Sequence, residues 1–306
     1  MKIAAILILY NPYEQVEFIK NNLNIYSEQF DKIYLVDNSP EPSNLFENIS
    51  GKIVYFHNRN LGGIAGAQNV GCSKAMEDGF EWAMTLDQDS TFTPEKLKTY
   101  LTLCTQHISD KNASFTLRFV RKTHYNTTLF DLIRFHILSP IKRKILHQNN
   151  LPKAGTPPKP EDKTIKEEIT ISPKALASCN VINLKVWEEI GKFDEKLFID
   201  EVDNDYCFRL TRKGYNILQF NTIYAYHKVG DDTFSLFRKN YPSHNAFRLF
   251  YIFRNHFIII KRYPEHSNEY KQELRKILID NLLITIHPLR NFIVLIKAFR
   301  DSKTID

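Results

Sequence analysis

Cysteine is scarce in this chain: four in 306 residues, Cys72, Cys104, Cys179 and Cys207, with no C-x-x-C pair among them. That spacing builds neither a zinc site nor a disulfide framework, and free thiols in a reducing cytoplasm fit best. Long apolar runs are missing too. The opening MKIAAILILYNP is too short for a signal-peptide core with its cleavage site and far below the roughly 20 residues of a membrane span, so it reads as a buried first strand. A nucleoside-triphosphate grip is absent: GAQNVGCS at 66–73 nearly spells the phosphate loop, but Cys72 stands where the lysine must be, and without that cation the motif fails on mechanism. No G-x-G-x-x-G follows the first strand, which excludes the dinucleotide fingerprint. Repeats and low-complexity tracts are lacking, and 43% hydrophobic with 25% charged residues is a globular make-up that argues against disorder.

Charge, by contrast, is present in surplus. The formal net charge is +6, unevenly placed, with a basic stretch from Arg118 to Lys153 and a tail from Asp231 to Asp306 that carries 13 lysines and arginines against 8 acids. Such asymmetry fits a solvated face, or an anionic partner or surface. Short apolar runs at Ile3–Leu9, Lys32–Val36, Lys52–Phe56 and Glu81–Leu86 alternate with helical spacing such as Val16, Ile19, Leu23 and Tyr26. The pattern predicts an α/β fold, a mostly parallel sheet with helices on both faces. AGTPPKPEDKTIKEE at 154–168 reads as an exposed linker or flap. A strand follows, then a helix with Trp187 and Ile190 stopped by Gly191, then a second helix ending at Gly214 with Val202, Tyr206 and Leu210 as its buried stripe. Past Asp232 strand signals vanish, and helices are expected over 247–263 and 274–286, interrupted by Pro264 and Pro288. Two domains are therefore expected, 1–230 α/β and 231–306 helical and basic.

Each strand run ends in polar residues: Asn11, then Asp37 and Asn38, then His57 to Asn60, then the DQD of TLDQDS at 85–90. In an open parallel sheet the carboxyl strand ends form one crevice, so these groups should converge. Turn chemistry is the plain reading of a D-x-D. The strand period of two, however, sends Asp87 and Asp89 to one side, where paired carboxylates repel unless a cation compensates them. Magnesium or manganese suits such a pair and leaves positions for phosphates, which points to a diphosphate substrate. In FIDEVDND at 198–205, helix capping explains Asp200 and Glu201. Asp203 stands beside the buried stripe one turn before Cys207, where it can face the crevice as a general base. His227 is either structural or a third metal ligand. The glycines of 58–75 serve either packing or a ligand.

ILYNP, YLVDNS, NRNLGGIAGAQNVG, TLDQDS, GKFDEKLFIDEVDNDYCFRLTRKGY and YAYH, in that order over about residues 3–230, resemble the inverting family 2 glycosyltransferases of GT-A fold, rhamnosyltransferase-like branch. The resemblance implies a sugar moved from a nucleotide donor, with deoxythymidine diphosphate rhamnose favoured, onto a saccharide hydroxyl in cell-surface polysaccharide synthesis. It implies Asp37 on the base, Asp87 on the ribose or metal, Asp89 and His227 on a magnesium or manganese ion, and Asp203 as the base. Asn11 and Asn60 join the donor side; Asn180, Asp200 and Glu201 are acceptor-side or sugar-side candidates. Residues 1–230 become the donor-binding and catalytic domain, 231–306 the acceptor or membrane side. Two departures stand out: Val202 where an E-D pair is commoner, and Cys179 in SCN where S-G-N is commoner, which sets a side chain near the expected sugar position. A lipid-linked acceptor, common among relatives, and the basic tail imply a peripheral protein at the inner face of the cell membrane, with no nucleic-acid partner. The alternatives are a uridine diphosphate hexose donor and a noncatalytic sugar-nucleotide binder. A nucleotidyltransferase would need a basic phosphate-gripping loop that LYNPYEQ lacks.

Overall fold

The computed structural model describes residues 2–43, 45–46, 51–122, 168–228, 233–236, 239–242, 245–283 and 287–305, with 120–122, 227–228, 233–236, 239–242 and 283 described by backbone alone. The basic stretch from 123 onward to Lys153 and the 154–167 flap lie outside these residues. Two compact units divide the chain, 1–122 with 160–228 and 123–159 with 229–306.

The first unit is built on a nine-stranded mixed sheet. Strand β1 (Ile3–Leu9) is apolar throughout and buried throughout, as expected of a strand covered on both faces. It pairs in parallel with β2 (Ile33–Asp37) and β4 (Trp82–Asp87), and β2 pairs in parallel with β3 (Ile53–His57). Helix α1 (Val16–Gln29) buries Ile19, Leu23 and Tyr26 against this half, and α2 (Gly63–Glu77) follows β3. Gly71 of α2 sits so close to β1 that a Cβ there would meet Ile6 at 2.3 Å.

The other half of the sheet is mixed. The two-residue β5 (Ser90–Thr91) leads through α3 (Pro94–Gln106) to β6 (Asn112–Lys122); then come β7 (Ile169–Ile171), β8 (Asn180–Asn183), α4 (Leu184–Glu189), α5 (Val202–Arg212) and β9 (Asn216–Lys228). Strand β8 runs antiparallel between β4 and β6, β6 runs parallel to β9, and β5 and β7 are antiparallel to β9. Apolar runs show that a segment is a strand, not which way it runs, so the sequence could not disclose β8's reversal.

The second unit corrects two expectations. Strands do occur past Asp232: β10 (Thr233–Leu236) and β11 (Lys239–Pro242) form a hairpin, each too short and too polar to show a strand pattern. The second helix starts earlier than expected, as α7 (Ser267–Leu278), because Tyr270 is buried one turn before Leu274 in an otherwise polar first half. A π-turn over Ile279–Leu283 extends it. Leu249 and Phe253 of α6 (Ala246–Arg262) join Leu274 and Ala298 of α8 (Pro288–Asp301) in a small core.

Candidate functional site

Register brings the strand ends level: Leu9 lies opposite Asp37, Ile8 opposite Asp87, and Asp37 opposite His57. Asp37 is fully buried. Its oxygens accept from the Ser39 N–H at 3.0 Å, the Ser43 N–H at 2.8 Å and the Tyr55 hydroxyl at 2.7 Å. Burial opposes its charge, but the combined hydrogen bonds from Ser39, Tyr55 and Ser43 hold its carboxyl below the usual range. Asn38, Asn58 and Asn60 interlock, with Asn38 Nδ2 donating to Asn60 Oδ1 at 3.0 Å and Asn58 Nδ2 to Asn38 Oδ1 at 2.8 Å. Exposed Asn11, at φ 45°, donates its N–H to Ser39 Oγ at 2.8 Å.

Strand β4 ends at Asp87, and Gln88 and Asp89 form a turn, so the period-of-two argument for the pair does not apply. The turn itself brings them together: the negative charges of Asp87 and Asp89 both act on the buried Tyr26 hydroxyl and the buried Cys179 thiol, adding to the rise that burial imposes on each. Gln88 pins this turn to β1's end, its Oε1 accepting from the Tyr10 N–H at 2.8 Å and its Nε2 donating to the Tyr10 carbonyl at 3.1 Å. From below, Asn22 Nδ2 and the Tyr26 hydroxyl donate to the Ser90 carbonyl. The backbone of His227 pairs with Ser90, next to Asp89.

Asp203 approaches from the other half. It is half-buried, and its Oδ1 accepts from the Asn204 N–H at 2.9 Å. Burial first, then the neighbouring Glu201 carboxylate, push its pKa up to about 7, against the backbone N–H groups of Asn204 and Ala177 that favour its charge. Ala177 and Ser178 link this carboxylate to the aspartate turn. The Thr85 hydroxyl donates to the Ala177 carbonyl, Ser178 Oγ accepts from the Asp87 N–H at 3.3 Å, and Ser178 Oγ lies 2.8 Å from Ser90 Oγ.

The chain reaches Asp203 through left-handed backbone at Phe198, Asp200 and Glu201, each at a cost of order 1–3 kcal/mol that packing must offset. Helix α2 supplies the packing. Ile64 donates its N–H to the Phe198 carbonyl at 2.8 Å, and a Cβ on Gly63 would meet that oxygen at 2.2 Å. Buried Asn69 donates to the Phe193 carbonyl and to Glu195 Oε1 and accepts from the Phe193 N–H. The glycine-rich run therefore serves close packing at Gly63, Gly66 and Gly71.

Cys179 and Asn180 are buried in the sheet rather than open to an acceptor. Cys179 is 0% exposed and belongs to the core, so it adds no side chain near the sugar. Its φ of 59° explains why glycine suits this position. Asn180 is a sheet residue, 3% exposed, with Oδ1 accepting from the Ser114 hydroxyl at 2.7 Å. Asp205, buried, forms an ion pair with Arg209 at 2.8 Å, and Glu201 accepts from Asn204 Nδ2. Gln88, Ser178, Asn69 and Asn22 escaped the sequence reading. Only Asn22 carried a signal, a polar residue on the apolar stripe of Ile19, Leu23 and Tyr26.

Among the described residues no three His, Cys, Asp or Glu side chains gather as a metal cage. Asp87 and Asp89 nonetheless fit a magnesium or manganese ion, which takes hard oxygen ligands and completes its shell with phosphate and water.

The glycosyl transferase family 2 model matches residues 5–152. The dTDP-rhamnosyl transferase RfbF of Shigella flexneri is 27% identical over 263 residues, which cover 85% of this chain and 80% of that protein. S. aureus TarS 1–349 in complex with UDP-GlcNAc matches with a TM-score of 0.57 at 15% identity, over 99% of this chain and 80% of that one. GalNAc-T7 with UDP, GalNAc and Mn2+ matches with a TM-score of 0.53 at 12% identity, over 95% and 58%. At these identities the solved structures show the fold alone. Residues 5–152 thus match glycosyl transferase family 2, and the chain is a glycosyltransferase of GT-A fold.

Proposed function

We propose that this enzyme transfers a sugar from a nucleoside diphosphate donor to a saccharide hydroxyl with inversion, and that Asp203 is the base. The observation that carries this is a half-buried carboxylate with its pKa near 7, bonded by the Ala177 N–H, the residue next to the Ser178 whose hydroxyl holds the aspartate turn. A base with that pKa is half ionised at neutral pH and still a competent proton acceptor. Asp203 takes the proton of the acceptor hydroxyl as that oxygen bonds to the anomeric carbon. The bond from that carbon to the diphosphate breaks on the opposite face, and the electron pair leaves with the phosphate. Asp87 and Asp89 would hold a magnesium or manganese ion, with His227 as a further ligand; when bound, the ion neutralises charge on the departing diphosphate. Asp37 would meet the donor base, with Asn11 and Asn60 on the same side, and Asp200 and Glu201 would lie toward the acceptor.

The donor favoured is dTDP-rhamnose, supported by the relative in Shigella flexneri; a UDP-hexose is the second reading, supported by the UDP-GlcNAc bound in the TarS structure. Residues 1–230 would form the donor and catalytic domain and 231–306 the acceptor side. A lipid-carried acceptor in cell-surface polysaccharide synthesis would bring the enzyme to the inner face of the cell membrane as a peripheral protein. Turnover of a panel of sugar nucleotides with and without manganese tests the reading. Release of dTDP from dTDP-rhamnose, dependent on the metal, is expected; turnover of UDP-hexoses alone overturns the donor, and binding without turnover overturns the reaction.

A further inference from the structure

Helix α8 presents an apolar face that the described residues of the second unit leave uncovered. Its inner side, Asn291, Ala298 and the half-buried Val294 and Leu295, packs on the small core with α6 and α7. Its outer side carries Leu289, 72% exposed, Phe292, 51% exposed, and the exposed Ile293, Ile296 and Phe299. At 100° per residue these five fall on one stripe. Five large apolar side chains in one contiguous stripe differ from the scattered exposed leucines of any surface.

Charge decides what covers the stripe. Arg290 and Lys297 flank it, Arg300 lies within it, and Lys303 follows, its ammonium 4.4 Å from the Phe299 ring centroid. The one acid of the helix, Asp301, turns to Arg254 of α6 at 3.3 Å. A symmetric contact between two copies would set these cations against their own counterparts with no acid on the stripe to offset them. An anionic lipid surface matches both features, the stripe entering the acyl boundary and the cations meeting headgroup phosphates. At 14 residues the helix is about 21 Å long, short of the roughly 30 Å hydrocarbon core. Among the described residues no helix is long and apolar enough to cross a membrane. We propose that α8 lies flat on an anionic membrane, with Leu289, Phe292, Ile293, Ile296 and Phe299 inserted and Arg290, Lys297 and Arg300 on the headgroups. The proposal involves no sugar or metal chemistry, so it stands or falls apart from the transfer reaction.

Sedimentation of the full chain with phosphatidylcholine vesicles, with and without phosphatidylglycerol, tests it. Two double variants accompany the wild type: Phe292→Ser with Ile296→Ser, and Arg290→Glu with Lys297→Glu. All four residues are exposed, and unchanged circular dichroism and melting confirm that the variants fold. The wild type should pellet with anionic vesicles, at least about tenfold less well without phosphatidylglycerol or in raised salt, and each double variant should lose at least about tenfold in binding. Equal pelleting of variants and wild type, no pelleting of any, or a wild-type dimer that the same variants split into monomers would overturn the proposal, the last in favour of a second copy on this face.

Discussion

The two acidic clusters of this enzyme are held in place by different means. The Asp87–Asp89 turn stands on a strand whose register with β1 runs unbroken over Ile3–Ile8, and the side chains of Gln88 and Ser178 bond it at either end. Asp203 stands at the start of a helix entered through three left-handed residues, and its support comes from a helix far away in sequence, through Gly63 and Asn69. Regular backbone makes the first cluster robust to distant change. The second depends on contacts that a remote substitution can remove.

The comparison breaks most sharply at the carboxylates themselves. Asp89→Ala should reduce transfer by about a thousandfold, since loss of metal assistance forfeits several kcal/mol of barrier reduction, and added manganese should not restore it; a manganese titration of kcat checks this. Asp203→Asn should cost about a hundredfold or more in kcat while donor affinity by calorimetry stays near normal.

The pH behaviour sharpens the contrast. A base at Asp203 works ionised, so under the proposed role kcat should fall as pH drops below about 7. Its folded pKa lies above its ordinary value of 3.8, so between those values the folded state holds more protons than the unfolded one. Stability from this group is full below the ordinary value and is lost as pH rises through about 7. Asp203→Asn should therefore melt higher than the wild type at pH 8 and match it near pH 4, as thermal scans at the two pH values would show.

Smaller effects test the supports. Asn69→Ala removes three hydrogen bonds from a buried group and should destabilise by about 1–3 kcal/mol in denaturant titration, and kcat should drop while metal affinity holds. Gln88→Ala removes two exposed bonds and should cost under about 1 kcal/mol, its signature being a few-fold rise in the manganese concentration needed for half-maximal rate. If Asn69→Ala shifts metal dependence and Gln88→Ala shifts the pH profile, the two clusters are not separately supported.

Much of this was legible in the chain. Ile3–Leu9 could only be a buried strand, and the polar residues after each apolar run did come to one edge, because strand ends in a parallel register must. Asp203 was legible as a carboxylate beside a buried stripe. Illegible were features that depend on pairing across long sequence separations: the reversal of β8, the burial of Cys179 and Asn180 within the sheet, and Asn69's hold on Phe193. Asp205 looked like Asp203 in sequence; one helical turn to Arg209 made it an internal ion pair. The glycines of 63–71 read equally as packing or ligand contacts until the oxygen of Phe198 and the side chain of Ile6 were seen against them.

The four cysteines have a practical consequence. All are free and buried, and burial pushes every thiol upward, away from the thiolate range, Cys207 to about 12. Near neutral pH the folded chain therefore offers maleimide almost no thiolate. One cysteine introduced at exposed Leu289 or Lys297 would be the sole reactive handle, and an environment-sensitive fluorophore there would report on α8 against a chemically silent background.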